Sequence, residues 1–404
     1  MDESEMPHNV TFVGAGSWGT ALAVHAARLG HRVRLYGRDA ARMAAMAKDR
    51  VSHGYLDGVT LPPNLTPVAS LAEAIGHSRG QPQRELVPNG VGLTDDDTDA
   101  FVPDLIVLAV PSRGFSDSLD ELAQAQAWPA PRSSASASGP AATSTQKTGS
   151  WSGEGFSRRH AGAVSSAADR PRAPIVWATK GLAPRSGAFL HEVFAERFGD
   201  WPSGVLSGPS FAADVAAGLP TAIVGASGDA AVLECLRAVF HGAAFRVYDN
   251  HDVLGVELGG ALKNVLAIAA GVADGANLGA NARAALITRG LAEMQRLGAA
   301  LGARPETLVG LSGLGDLVLT CTDDQSRNRR LGLALGRGVS PEDAAREIGQ
   351  AVEGLDTARV ALARAEACGV DLPIVAEVEA VIAGRRTVGQ AMVRLLEREP
   401  GPEV

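Results

Sequence analysis

Residues 9–39 read NVTFVGAGSWGTALAVHAARLGHRVRLYGRD, and this stretch decides the fold. Val10–Val13 is a short apolar strand and Gly14–Gly19 a turn. Ala21, Leu22, Val24, Ala27 and Leu29 line one face of a helix that Gly30 ends, and Val33–Tyr36 is a second strand. The whole has the length of a strand–helix–strand unit. Its turn places Gly14, Gly16 and Gly19 as G-x-G-x-x-G. That pattern alone is a weak signal, but here it follows a strand and opens a helix, the context in which it binds a dinucleotide. Gly14 permits the tight turn, Gly16 lets a pyrophosphate approach, and Gly19 lets helix and strand pack closely. The helix N-terminus then faces the anion. The plainer reading, a glycine-rich turn without ligand, does not explain that placement.

Working outward, further apolar strands follow at 105–110 (LIVLAV), 174–179 (PIVWAT), 204–208 (GVLSG) and 221–227 (TAIVGAS). Helical stretches lie between several of them, so the pattern predicts a parallel, doubly wound sheet. After Asp249 no strand pattern is evident. Helical stretches at 252–273, 281–301, 305–311, 314–320, 327–336, 341–349, 353–367, 373–383 and 387–397 are punctuated by Gly and Pro. The expected fold class is therefore an α/β N-terminal domain over 1–248 followed by a mainly α-helical C-terminal domain over 249–404. Two segments interrupt the pattern. Residues 77–103 are polar and turn-rich. Residues 129–173 are low-complexity, rich in Ser, Ala, Gly and Pro, and are expected to be a disordered insertion that buries too little surface to offset the entropy of ordering. A partner-binding role for it has no periodic pattern to support it.

Composition narrows the function. A net charge of -8 argues against a general nucleic-acid or anionic-membrane surface. The acidic start, MDESEMPH, has no basic region ahead of an apolar one, so no secretory signal is expected. The apolar run near 265–273 breaks at Asp274, short of the ~20 residues of a membrane span. Cys235, Cys321 and Cys368 are scattered, which suits reduced thiols in a cytoplasmic protein and no metal site.

Chemistry is carried by a few polar residues in apolar settings. The second strand ends Tyr36-Gly37-Arg38-Asp39. Glycine holds the place where an acidic residue would take a ribose hydroxyl, and the Arg38 guanidinium suits a 2′-phosphate. NADPH is thus the expected cofactor, with NADH accepted because Asp39 follows. Lys180 lies just beyond a strand, where a parallel sheet opens its ligand crevice. Ser210 precedes a helix and could cap it or bond a ligand. In VELGGALKNVLAIAAG (256–271), Lys263 and Asn264 stand side by side in an apolar helix. Burying an ammonium is costly and lowers its pKa, which suits a general acid or base; the bland alternative is a lysine that snorkels to the surface. Asp316 and Thr320 share a helix face, where the carboxylate could tune Lys263. Ser326-Arg327-Asn328 offers donors suited to an oxyanion, against the plainer reading of a solvated basic face. Glu353 begins a helix, where a carboxylate favours the dipole.

Together, GAGSWGTALA, WATKGL, SGPSFA, LPTAI, FRVYDN, ELGGALKNVLAIAAG, GANARAALITRGLAEM, GLGDLVLTCTDDQSRNRR and VEG run in order from residue 10 to about 385. The chain resembles bacterial NAD(P)-dependent sn-glycerol-3-phosphate dehydrogenases, with only the two interrupting segments outside the resemblance. The resemblance implies a Rossmann-like N-terminal domain and reduction of dihydroxyacetone phosphate, supplying glycerol 3-phosphate for phospholipid synthesis. It implies Lys263 as the acid/base and Asp316 as its orienting carboxylate, also touching substrate. Lys180 would meet both cofactor and substrate. Gly208, Ser210, Ser326, Arg327 and Asn328 would hold substrate, with Arg327 also near the cofactor. Ser17, Trp18, Arg38, Tyr55, Ala212 and Glu353 would line the cofactor site, and Thr320 would support the site. The expected partners are a phosphorylated small molecule and, as a homodimer, a second copy. The family pattern is short where 129–173 lie, so deleting 132–171 should leave turnover nearly intact.

Two rival readings use the same motifs. One is another two-domain NAD(P)-dependent hydroxy or keto acid oxidoreductase, which activity on an unphosphorylated ketone would favour. The other is a non-catalytic NADPH-binding sensor, which would need neither Lys263 nor Asp316.

Overall fold

The computed structural model describes residues 6–76, 101–125 and 172–397. The expectations for 77–103 and 129–173 fall almost wholly outside these residues. The α/β part opens with β1 (Asn9–Val13), α1 (Ser17–Arg28), β2 (Arg32–Tyr36), α2 (Ala40–Asp49), β3 (Leu65–Val68), α3 (Leu71–Ala74), β4 (Leu105–Leu108) and α4 (Phe115–Ala125). It continues with β5 (Ile175–Trp177), α5 (Leu190–Phe198), β6 (Ser203–Ser207), α6 (Ala212–Ala217), β7 (Thr221–Ala226), α7 (Ala230–Phe240) and β8 (Phe245–Asn250).

These strands form one sheet in the order β3-β2-β1-β4-β5-β6-β7-β8. Its interior strands β4 and β5 are buried on both faces, which is why they read as unbroken apolar runs. In β4, Leu105 and Val107 pack with α1 and α7 on one face. Ile106 and Leu108 pack with α4 and α5 on the other. The order reverses between β1 and β4, so the crevice beyond their carboxyl ends is where such a sheet takes a ligand.

The expectation of a parallel sheet needs correction. Six strands are parallel, but β7 pairs antiparallel with β6, and β8 runs parallel to β7. The connecting helix α6 has six residues. Six residues rise about 9 Å, less than the roughly 17 Å of a typical strand, so α6 does not carry the chain back for another parallel pass. Two strands were also not expected. β3 carries Pro67 and lies at one sheet edge, where a missing N–H is tolerated. β8 lies at the other edge, with Arg246 and Tyr248 exposed, and so lacks a continuous apolar pattern.

The helical part runs α8 (Val253–Gly275), α9 (Gly279–Leu301), α10 (Pro305–Leu308), a π-helical turn at Leu311–Gly315, α11 (Asp316–Thr322), α12 (Arg327–Gly336), α13 (Pro341–Ile348), α14 (Gly354–Ala367), α15 (Pro373–Ile382) and α16 (Val388–Leu396). The Asp252 carboxylate caps α8 by accepting from Gly255 N at 2.8 Å. The helix is long and apolar enough to cross a membrane, yet most of it is buried within the fold, as befits a core helix. Its small residues let neighbours approach. A Cβ at Gly271 would collide with the Arg329 carbonyl, and one at Gly332 with the Ile268 carbonyl. Glycines four apart on both helices, 271/275 and 332/336, thus bring α8 and α12 into backbone contact.

Candidate active site

A cleft of about 1320 Å³ extends from the glycine turn to the N-terminus of α12. Its walls include Gly14, Gly16, Ser17, Trp18, Arg38 and Tyr55 at one end, Lys180, Ser210, Ala212 and Lys263 in the middle, and Thr320, Ser326, Arg327, Asn328 and Glu353 at the other. The structure thereby brings together nearly all the residues singled out from sequence. Asp316 is fully buried and stands behind the two lysines. Gly208 is also set back, its carbonyl accepting from Lys180 Nζ at 3.0 Å.

The turn fits a dinucleotide pyrophosphate. Gly14 has φ +116°, and a Cβ there would lie 2.6 Å from the Ala109 carbonyl oxygen. A Cβ at Gly19 would collide with the Gly14 carbonyl, whereas nothing lies within 4 Å of the position above Gly16. Gly16 is the N-cap of α1, with no side-chain cap and no acidic residue in the first turn. Those backbone donors are left for an anion.

In the middle, two ammonium groups share one carboxylate. Lys180 Nζ donates to Asp316 Oδ2 at 2.7 Å, and Lys263 Nζ donates to Asp316 Oδ1 at 2.5 Å and to Thr320 Oγ1 at 3.0 Å. The Thr320 hydroxyl donates to the Asp316 carbonyl at 2.6 Å, so its lone pairs face Lys263. Adjacent glycines on α8 make this convergence possible. A Cβ at Gly259 would lie 2.5 Å from the Ser312 carbonyl oxygen of the π-helical turn that leads into Asp316. One at Gly260 would lie 3.1 Å from Ser207 Oγ and 3.5 Å from Lys180 Cγ. Burial pushes the Lys263 ammonium down to about 8; Asp316 opposes that shift and the neighbouring Lys180 adds to it.

At the far end, Ser326 caps α12 by accepting from Arg329 N at 3.2 Å, so its hydroxyl has a structural task. Ser210, by contrast, does not cap α6; its hydroxyl donates to the Gly208 carbonyl at 3.1 Å. Asn328 Nδ2 donates to Asn264 Oδ1 at 2.9 Å, and Asn328 Oδ1 accepts from Gly354 N at 3.0 Å. Arg327 is thin on protein partners, with Nη1 3.4 Å from Gln350 Oε1. Glu353 is the N-cap of α14; burial raises its pKa, and Arg327, Lys263 and Lys180 counter the rise.

Several cleft residues were given no role from sequence, Asn264 and Arg42 among them. Asn264 was noticed beside Lys263 but given no role; its amide in an apolar helix was the available signal. Arg42 lines the cofactor end, and a cation in the first turn of a helix, where the dipole disfavours it, could have marked it.

The family description "NAD-dependent glycerol-3-phosphate dehydrogenase N-terminus" matches residues 9–80 and 156–233, and its C-terminus counterpart matches 252–393. The chain belongs to this family. It is 48% identical over 395 residues to the glycerol-3-phosphate dehydrogenase [NAD(P)+] of Thioalkalivibrio sulfidiphilus, covering 98% of each chain. It is 43% identical to that of Xanthomonas euvesicatoria, covering 99% of this chain and 98% of that one. The crystal structure of glycerol-3-phosphate dehydrogenase from Coxiella burnetii superposes with a TM-score of 0.77 at 38% identity, covering 97% of this chain and 99% of that one. The family description breaks between residues 80 and 156, the stretch that holds most of the polar segment and much of the low-complexity one.

Proposed function

We infer that the chain reduces dihydroxyacetone phosphate to sn-glycerol 3-phosphate, reversibly, with NADPH or NADH, and so supplies glycerol 3-phosphate for phospholipid synthesis. The observation that carries this reading is the pair of ammonium groups on one buried carboxylate, in a cleft that also holds the dinucleotide turn and Arg327. Residues 1–248 supply most of the cofactor site, and residues 249–404 supply the proton donor and the phosphate clamp. We place this work in the cytoplasm.

The reduced nicotinamide, when bound, supplies the hydride. Lys263 gives a proton from Nζ to the developing alkoxide, and in the reverse direction takes it back from the alcohol. Asp316 fixes the direction of that ammonium and, with Thr320, keeps it from swinging away. Lys180 adds positive charge where the carbonyl oxygen becomes anionic. Arg327 and Asn328 hold the phosphate, the guanidinium as a fork of donors. Gly208 and Ser210 shape the wall behind the substrate. Gly14, Gly16, Ser17, Trp18, Gly19, Arg38, Tyr55, Ala212 and Glu353 bind the cofactor, with NADPH preferred. The test is cofactor oxidation with dihydroxyacetone phosphate, beside unphosphorylated dihydroxyacetone and with NADH in place of NADPH. Turnover confined to the phosphorylated ketone supports the assignment; equal rates with both ketones would refute it.

A further inference from the structure

We propose that Arg42 is a specificity-determining residue, which with Arg38 grips the 2′-phosphate that distinguishes NADPH from NADH. This rests on the reading that the cleft takes a nicotinamide dinucleotide.

Arg42 sits in the first turn of α2, which contains no acidic residue. A cation at the positive end of a helix dipole is electrostatically misplaced for stability. The same placement is well suited to an anion, because the dipole and the guanidinium then act together. The acidic residue that could have served a ribose hydroxyl is committed elsewhere. Asp39 is the N-cap of α2, and its Oδ1 accepts from Arg42 N at 3.0 Å. The other carboxylate on this part of the wall, Glu121, lies beside Tyr36, and its charge helps burial raise the pKa of that phenol.

The Arg42 side chain is held in place without being satisfied. Its guanidinium carbon lies 4.8 Å from the centre of the Tyr55 ring. The loop that carries Tyr55 is tied to the glycine turn, since Ser17 Oγ donates to the Tyr55 carbonyl at 2.9 Å. Yet Arg42 Nε is buried with no hydrogen-bond partner, and among the described residues the guanidinium makes no ion pair. A stacked guanidinium with unused donors is pre-organised for a phosphate. Arg38, just before α2, and Arg42, in its first turn, both line the cofactor end of the cleft, as two charges for one dianion.

The test is calorimetric binding of 2′,5′-ADP and 5′-ADP to the full chain, as wild type and as Arg42→Ala, Arg42→Gln and Arg38→Ala. The expected result is tighter binding of 2′,5′-ADP by the wild type. Arg42→Ala should then weaken 2′,5′-ADP by about 10-fold or more, the scale of a charge-assisted hydrogen bond, and narrow its advantage over 5′-ADP. The NADPH-to-NADH ratio of kcat/KM should fall by a similar factor. Arg42→Gln, which keeps the length of the side chain but not its charge, decides the matter if the alanine variant does not fold. Equal loss for both nucleotides would make Arg42 a mere support for Tyr55 and overturn the proposal. So would equal affinity of the wild type for both, although the cofactor reading would stand. Failure of the wild type to bind either nucleotide would overturn the cofactor reading as well.

Discussion

Trp177 Nε1 donates to Glu257 Oε1 at 2.7 Å in the buried seam between β5 and α8. The strand end that Trp177 occupies leads to Lys180, and the helix that carries Glu257 carries Lys263 six residues on. The same carboxylate accepts from His191 N at 3.1 Å and from His191 Nδ1 at 2.5 Å. Burial raises the Glu257 pKa, and these donors oppose the rise. The two lysines that meet on Asp316 are thus held in register from below by a second buried carboxylate.

Trp177→Phe keeps an aromatic ring and removes one donor from Glu257. We expect a loss of about 1–3 kcal/mol, the cost of breaking a buried hydrogen bond to a charged group, together with a lower turnover number. Thermal melting and steady-state kinetics measure both. An unchanged melting temperature would show that the bond does not hold the seam.

Removing the acid should be far more damaging to chemistry than to binding. Lys263→Ala should lower kcat by ~100-fold or more while NADPH affinity changes little. The pH dependence has a definite sign. With a pKa of about 8, Lys263 is charged at lower pH and can give its proton, so ketone reduction should fall as pH rises through that value. Alcohol oxidation needs the neutral amine and should rise over the same range. Parallel pH–rate profiles in both directions check this, and matching slopes of one sign would exclude Lys263 as the titrating group.

The α8–α12 crossing makes a prediction about substrate rather than cofactor. Gly332→Ala drives a methyl group into the Ile268 carbonyl. Overpacking of this kind costs about 1–3 kcal/mol. It should also push Arg327 and Asn328 away from Asn264, raising KM for dihydroxyacetone phosphate more than KM for NADPH. Kinetics on both substrates distinguish this from a general loss of folded protein.

Glu293 links stability to pH. Its carboxylate is 1% exposed and accepts from Ile374 N at 2.7 Å and Val375 N at 3.3 Å, capping α15 from another helix. Burial lifts its pKa from 4.5 to about 7, with the two backbone donors opposing. The folded state therefore holds a proton that the unfolded chain releases near 4.5. Stability from this group is full below that pH and is lost as pH rises through about 7. The difference is roughly 3 kcal/mol. Melting curves at pH 5 and 8 should show a fall in wild type that Glu293→Gln largely removes.

The first thirty residues after Asn9 were legible because strand, turn and helix there follow local rules: an apolar run, glycines at fixed spacing, and a helix face of period 3.6. The helix bounds of the second half were also close, since Gly and Pro mark them; Arg327–Gly336 was read at its observed bounds. Strand direction was not legible. Whether β7 lies parallel or antiparallel to β6 depends on how far α6 carries the chain, and a run of apolar residues reads the same in either direction. Strand β3 was missed because it is four residues long and contains Pro67, and β8 because its exposed Arg246 and Tyr248 break up the apolar run.

For the site, the sequence by itself determined which residues carry charge into apolar surroundings: Lys180, Lys263, Asp316 and Arg327. It also set the glycines that let backbones close on one another. Only the tertiary structure decided that both lysines meet the same carboxylate, that Asp316 and Gly208 stand behind the cleft wall, and that Arg42 joins Arg38 at the cofactor end. The physical reason is range. A helix cap or a glycine turn is fixed by neighbours within a few residues, whereas Lys180 and Asp316 are 136 residues apart and meet only because the end of β5 and the start of α11 both pack beside α8.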